Sequence, residues 1–180
     1  ELGGCAGNIA YNLKLLGGDP WQVAAVGQDF GPYRKHMEQS GIRLDCVREF
    51  EEQFTPQCFI TTDLDNNQIT AFHPGAMSDS HSNHVRDVAG VSFGIVAPDG
   101  REGMMQNSRE FNELGIPFIF DPGQAMPLFN GEELRTFIEQ ADYVVVNDYE
   151  SNLLQERTGW DEKEIVSRVK AYITTRGPKG

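Results

Sequence analysis

The chain has 180 residues, 39% hydrophobic and 23% charged, which is enough for one domain with a real core and too apolar for a disordered chain. With 15 Lys and Arg against 27 Asp and Glu, the formal net charge is −12. No basic run offsets that balance, so a general surface for nucleic acid or for an anionic membrane is disfavoured. A small anionic ligand stays open, because backbone N–H groups hold phosphate without net positive charge.

In chain order, residues 6–16 have helical period, with Ile9, Leu13 and Leu16 on one face and Gly17-Gly18 as the stop. Residues 22–26 form a short β-like run. Pro32 and Gly41 bracket a helix over 33–40. Two β runs follow at 56–62 and 68–72, and the polar link Asp63-Leu64-Asp65-Asn66-Asn67 between them predicts an antiparallel hairpin. Strands are then expected at 93–97, 118–120, 143–146 and 172–175, and helices at 103–114, 132–140, 149–157 and 161–171. The Met104-Met105 pair lies in one of these helices and reads as core. Apolar strands alternating with amphipathic helices predict an α/β fold, a doubly wound, mainly parallel sheet flanked by helices. With no repeat or long linker, residues 1–180 read as one such domain carrying a hairpin excursion.

Cys5, Cys46 and Cys58 have no CxxC spacing and read as reduced thiols of a cytoplasmic protein. No apolar run reaches the length of a membrane span. The chain opens at Glu1 without Met and closes at Gly180, each beside a glycine-rich turn, so both ends read as cuts in a longer protein.

Ligands of doubly wound sheets bind beyond the carboxyl ends of the strands. Four segments fit that position: Gly3-Gly4-Cys5-Ala6-Gly7-Asn8, Asp121-Pro122-Gly123-Gln124, Asn147-Asp148-Tyr149-Glu150 and Thr175-Arg176-Gly177-Pro178-Lys179-Gly180. In the first, glycines ahead of a helix let a ligand approach the backbone, and Asn8 can donate and accept, as a sugar hydroxyl requires; a plain tight turn explains the same residues. Asn147 and Glu150 share one side of an opening helical turn, where an amide oxygen and a carboxylate suit Mg²⁺ through water; an N-cap Asn with Glu at the third helical position explains them as well. Asp121 and Gln124 are ambiguous in the same way. A zinc reading of His73, His81 and His84 with Asp79 lacks complete ligand spacing. Neither the dinucleotide GxGxxG nor a Walker A sequence occurs.

Taken in order, these motifs resemble the PfkB (ribokinase-like) family of carbohydrate and nucleoside kinases. Gly3-Gly4-x-x-x-Asn8-x-Ala10 is similar to the family's N-terminal signature, Asn147-x-x-Glu150 to its Asn-x-x-Glu motif, and Thr175-x-Gly177-x-x-Gly180 to the turn that opens its nucleotide site. Residues 3–16, 60–77 and 118–124 look similar to bacterial adenosine-type nucleoside kinases. The resemblance implies that Gly3, Gly4, Cys5, Asn8 and Gln124 bind the acceptor, that Asn147 and Glu150 organise Mg²⁺ and phosphate with Glu150 reaching the metal through water, and that Thr175, Arg176, Gly177 and Gly180 contact ATP. It implies that the hairpin over 56–72 contributes to a lid, with a homodimer formed through that lid.

The implied activity of the intact protein is ATP- and Mg²⁺-dependent phosphorylation of the 5′-hydroxyl of a ribonucleoside of adenosine or inosine type. The alternatives are a free-sugar kinase of ribose or fructose type and a non-catalytic nucleotide- or sugar-binding module. The family's Gly-x-Gly-Asp motif, which carries its general base and anion hole, has no match in these residues. A catalytic residue is therefore expected only beyond Gly180, and the chain shown is expected to be inactive by itself.

Overall fold

The computed structural model describes residues 2–179. The chain separates into two compact units, Glu1–Asn83 and His84–Gly180. The division falls just after the short polar run Ser78-Asp79-Ser80-His81-Ser82-Asn83.

In the first unit, α1 (Cys5–Leu15) packs on α2 (Gly31–Gln39) through small residues. Gly7 and Ala10 are the buried positions of α1, and Ala10 joins Met37 and Ile42 in a small core with Tyr33 and Leu44 against it. The predicted apolar face is a different one: Ile9 is half-buried, whereas Leu13 and Leu16 are exposed. Two helices approach closely where no side chain stands between them, so here the small residues decide the contact. Next, β1 (Ala24–Gly27) pairs in parallel with β2 (Val47–Phe50), from Ala24↔Val47 to Gly27↔Phe50. The sequence carries no clear signal for β2, whose four residues Val-Arg-Glu-Phe are half charged. Its Glu49 meets Arg34 of α2 at 2.5 Å.

The hairpin forms as expected, with β3 (Gln57–Thr62) antiparallel to β4 (Gln68–His73). Asp63 organises the link, accepting from the backbone of Asp65 at 2.8 Å and of Asn67 at 2.9 Å, and Asn66 adopts a positive φ of 62°. The bonds from Asn67 and Asp65 hold the Asp63 carboxyl below its ordinary range. An isolated two-stranded ribbon is marginal by itself, and nearly every residue of this one is exposed. Its root is pinned instead. Asp29 accepts from Thr55 N–H at 2.7 Å and from Gln57 Nε2 at 2.8 Å, and Asp79 accepts from Gln53 Nε2 at 2.6 Å. Burial acts against ionisation of Asp29, but the bonds from Thr55 and Gln57 outweigh it and hold the carboxyl low. Gly75, at φ +49°, leaves its Cβ position to the Phe54 carbonyl, and a 3-10 helix over Gly75–Ser82 follows.

The second unit is a four-stranded parallel sheet of β5 (Gly94–Val96), β6 (Phe118–Phe120), β7 (Tyr143–Asn147) and β8 (Ala171–Thr175), adjacent in chain order. The crossovers carry α3 (Arg101–Leu114), α4 (Gly131–Gln140), and then α5 (Asp148–Thr158) with α6 (Glu162–Val166). One sheet face presents Val96, Phe118, Phe120, Val144 and Val146, which share a core with Met104, Phe111, Leu134, Phe137, Ile138, Leu154 and Ile165 of the helices. Phe120 stacks on Phe137 at 4.5 Å, and the Phe111 ring occupies the space a side chain at Gly94 would need. Ile95 and Ile173 lie on the opposite face and are exposed. The helix read over 161–171 stops at Val166. Lys170 N–H bonds Asp142 O at 2.7 Å and Ala171 pairs with Tyr143, so ladder bonding takes these residues from the helix.

Candidate functional site

In the first unit, Gly3 and Gly4 form the turn that opens α1. Gly4 has φ +91°, a conformation that side chains resist, and its carbonyl accepts Asn8 N–H at 3.0 Å. The space a Cβ would take is open at both Gly3 and Gly4, so a ligand can approach the backbone there. Asn8 is exposed on the first turn of α1 and Cys5 is half-buried at its start. Behind the turn, Tyr33 Oη donates to Gly3 O at 2.7 Å. Tyr33 has no signal in the sequence beyond its place in α2, because the contact joins residues 30 apart.

In the second unit, parallel strands bring four polar groups to one edge of the sheet. Asp121 follows β6 and its N–H bonds Val96 O at 2.9 Å; Asn147 ends β7; Glu150 lies in the first turn of α5; Thr175 ends β8 in register with Asn147. Beyond Thr175, Arg176 is exposed and Gly177 has φ +54°; Gly180 lies outside the described residues. Gln124 is exposed in a 3-10 helix over Gly123–Leu128.

Asn147 and Glu150 form a complete capping box. Asn147 Oδ1 accepts Glu150 N–H at 2.7 Å, and Glu150 Oε2 accepts Asn147 N–H at 2.8 Å. The structural explanation of this pair is therefore realised, and it fixes where the Glu150 carboxylate stands. Burial raises the Asp121 carboxyl above its ordinary range, and the charge on Glu150 raises it further. The edge thus holds negative charge that a cation would offset. No three His, Cys, Asp or Glu side chains cluster into a direct metal cage among the described residues. Two neighbouring carboxylates with one oxygen engaged in a cap are the kind of donor set that suits Mg²⁺, an ion that keeps much of its water.

Two of the residues singled out for zinc, Asp79 and His84, have other partners. Asp79 bonds Gln53, and His84 Nδ1 lies 2.6 Å from Glu110 Oε1. None of Cys5, Cys46 and Cys58 forms a disulfide, and no helix among the described residues is long and apolar enough to cross a membrane.

The chain is 29% identical to a nucleoside kinase of Methanocaldococcus jannaschii over 185 residues, covering 99% of this chain and 59% of that protein. It is 53% identical to the Burkholderia thailandensis nucleoside kinase solved in complex with inosine, with a TM-score of 0.97, covering 100% of this chain and 59% of that one. The same protein in complex with ADP-inosine superposes with a TM-score of 0.95 over 57% of its length. The chain therefore spans a little under three-fifths of the length of each of these relatives. All of residues 1–180 match the pfkB carbohydrate kinase family, and the chain belongs to that family.

Proposed function

We propose that the full protein phosphorylates the 5′-hydroxyl of a ribonucleoside of adenosine or inosine type, with ATP as donor and Mg²⁺ as cofactor. The observation that carries this reading is the 53% identity, over the whole chain, to a nucleoside kinase whose structure holds inosine. The open glycine turn supports it: Gly3 and Gly4 admit a ligand to the backbone, and Asn8 on the next helical turn offers an amide to ribose hydroxyls, with Cys5 and Gln124 as further acceptor contacts.

Asn147 and Glu150 are the residues that would hold Mg²⁺ through water, with Asp121 adding charge to the same sheet edge. The ion supplies neutralisation of charge spread over the transferring phosphoryl oxygens. Thr175, Arg176, Gly177 and Gly180 are assigned to ATP: Thr175 ends β8, and Arg176 and Gly177 follow it at the carboxyl edge, where ligands of such sheets bind. The 180 residues contain no Gly-x-Gly-Asp, so the general base of the family motif is not assigned to any of them. The hairpin β3–β4 is proposed as part of a lid and as the surface of a homodimer, which its exposed Phe59, Ile60, Ile69 and Phe72 support. A cytoplasmic location suits a kinase that uses ATP and cysteines that form no disulfide.

Isothermal titration of the full-length protein with inosine, adenosine, ribose and fructose tests the acceptor class. Tight binding of a nucleoside and weak binding of both sugars is expected. Preference for a free sugar would move the assignment to a sugar kinase.

A further inference from the structure

We propose that Tyr33 is a positioning residue for the acceptor end of the enzyme: its phenol fixes the Gly3 carbonyl, and with it the Gly3-Gly4 turn and the opening of α1. The inference rests on the reading of that turn as part of the nucleoside pocket.

Three observations meet at this contact. First, Tyr33 Oη donates to Gly3 O at 2.7 Å, tying α2 to the backbone of the turn across 30 positions of sequence. Burial raises the phenol's pKa, so it remains a protonated donor throughout the neutral range. Second, the hydroxyl reaches that carbonyl by crossing Gly7. A Cβ at Gly7 would occupy the place of Tyr33 Oη and would press on Met37 Cε at 3.1 Å. The absence of a side chain at Gly7 is thus a condition of the Tyr33–Gly3 bond. Third, the ring has two aromatic neighbours, Phe30 at 5.7 Å and His36 at 6.3 Å between centroids, and Tyr33 packs on the Ala10–Met37–Ile42 core.

The two faces of the turn therefore differ. Its front is open at Gly3 and Gly4, and its back carbonyl is bonded to a side chain anchored in a core. Two successive glycines have more backbone freedom than any other pair of residues. Ordering them when a nucleoside arrives would weaken binding, and a tether that orders them beforehand removes that cost. Tyr33 touches the turn and not the reacting atoms, so its loss should weaken capture of the acceptor far more than turnover of bound acceptor.

The test uses the full-length protein, with Tyr33→Phe, Gly7→Ala and the double variant. Two quantities are measured: hydrogen exchange at the Asn8 amide without nucleoside, and steady-state kinetics with inosine at saturating ATP and Mg²⁺. Tyr33→Phe keeps the ring and removes only the hydroxyl. It should speed exchange at Asn8 and raise KM for inosine roughly three- to tenfold, the size of one lost hydrogen bond, with KM for ATP unchanged. Turnover should stay within about twofold of wild type. Gly7→Ala should produce the same pattern alone and add little in the Tyr33→Phe background, where the group it displaces is already gone. Unchanged exchange and KM in Tyr33→Phe, or effects of the two substitutions that simply add, would overturn the proposal. If wild-type protein transfers no phosphate to inosine or adenosine, the acceptor reading fails by itself, and exchange at Asn8 still decides whether Tyr33 orders the turn.

Discussion

Asn147 and Glu150 hold each other twice, each side chain bonding the other residue's backbone N–H, at 2.7 and 2.8 Å. One Asn-x-x-Glu spacing thereby serves a helix cap and offers a carboxylate to the edge of the sheet. These two roles separate by mutation. Asn147→Ala removes the N-cap and should lower stability by about 1 kcal/mol in chemical denaturation. Glu150→Gln keeps a side chain that completes a capping box, so stability should change by less than about 0.5 kcal/mol. Phosphoryl transfer by the full-length Glu150→Gln variant should nevertheless fall by an order of magnitude or more at limiting Mg²⁺. Equal losses of stability and activity in the two variants would reduce the motif to a cap.

Asp121 should destabilise the unliganded protein. Its carboxyl is raised by burial and by the charge on Glu150, so its folded pKa lies above its unfolded one. Ionisation therefore favours unfolding. The penalty is absent below the unfolded pKa, grows as pH rises, and is complete above the folded pKa. Asp121→Asn should melt at a higher temperature than wild type at pH 7, and the difference should close by about pH 3, below the ordinary range of Asp. An Asp121→Asn protein that melts lower at pH 7 would show that the carboxylate has an attractive partner.

Glu110 has the opposite sign. Its side chain is 3% exposed, within 2.6 Å of His84 Nδ1, and accepts from Arg86 Nε at 3.0 Å and Arg86 N–H at 3.2 Å. Burial pushes the carboxyl up, but the bonds from His84 and Arg86 outweigh it and hold the pKa below its ordinary value. Its contribution to stability is thus present above the unfolded pKa and lost as pH falls through the folded one. Glu110→Gln should cost about 1–3 kcal/mol at pH 7 in urea denaturation, with the gap to wild type shrinking in acid. His84 and Arg86 are 40% and 52% exposed, which keeps the expected loss below that of a fully buried ion pair.

Most of the second unit can be read from its sequence because local signals there agree with one another. Phe118–Phe120 is an apolar run closed by Asp121 and Pro122, and Glu132 and Glu133 follow an N-cap Asn130. The capping pattern at Asn147 and Glu150 is visible by spacing alone. Failures occur where tertiary contacts choose between weak local preferences. Residues 167–170 turn towards Asp142 instead of extending α6, and β2 exists because β1 offers it a ladder. At α1 the apolar residues Leu13 and, just past its end, Leu16 mark the wrong face, since Gly7 and Ala10 make the close contact. Among the site residues, the glycine turn and the Asn-x-x-Glu pair stand out from sequence by spacing, while Tyr33 does not. Its relation to Gly3 depends on a space at Gly7 that only the packed helices define.

The most direct measurement is a phosphoryl-transfer assay on the full-length protein with ATP and Mg²⁺, comparing kcat/KM for inosine, adenosine, ribose and fructose and identifying the product by NMR. The expected product is a nucleoside 5′-monophosphate, with kcat/KM for a nucleoside at least about a hundredfold above that for either free sugar, as loss of a whole base from a fitted pocket implies. A phosphorylated free sugar as the preferred product, or ATP-dependent transfer to none of the four, would contradict it.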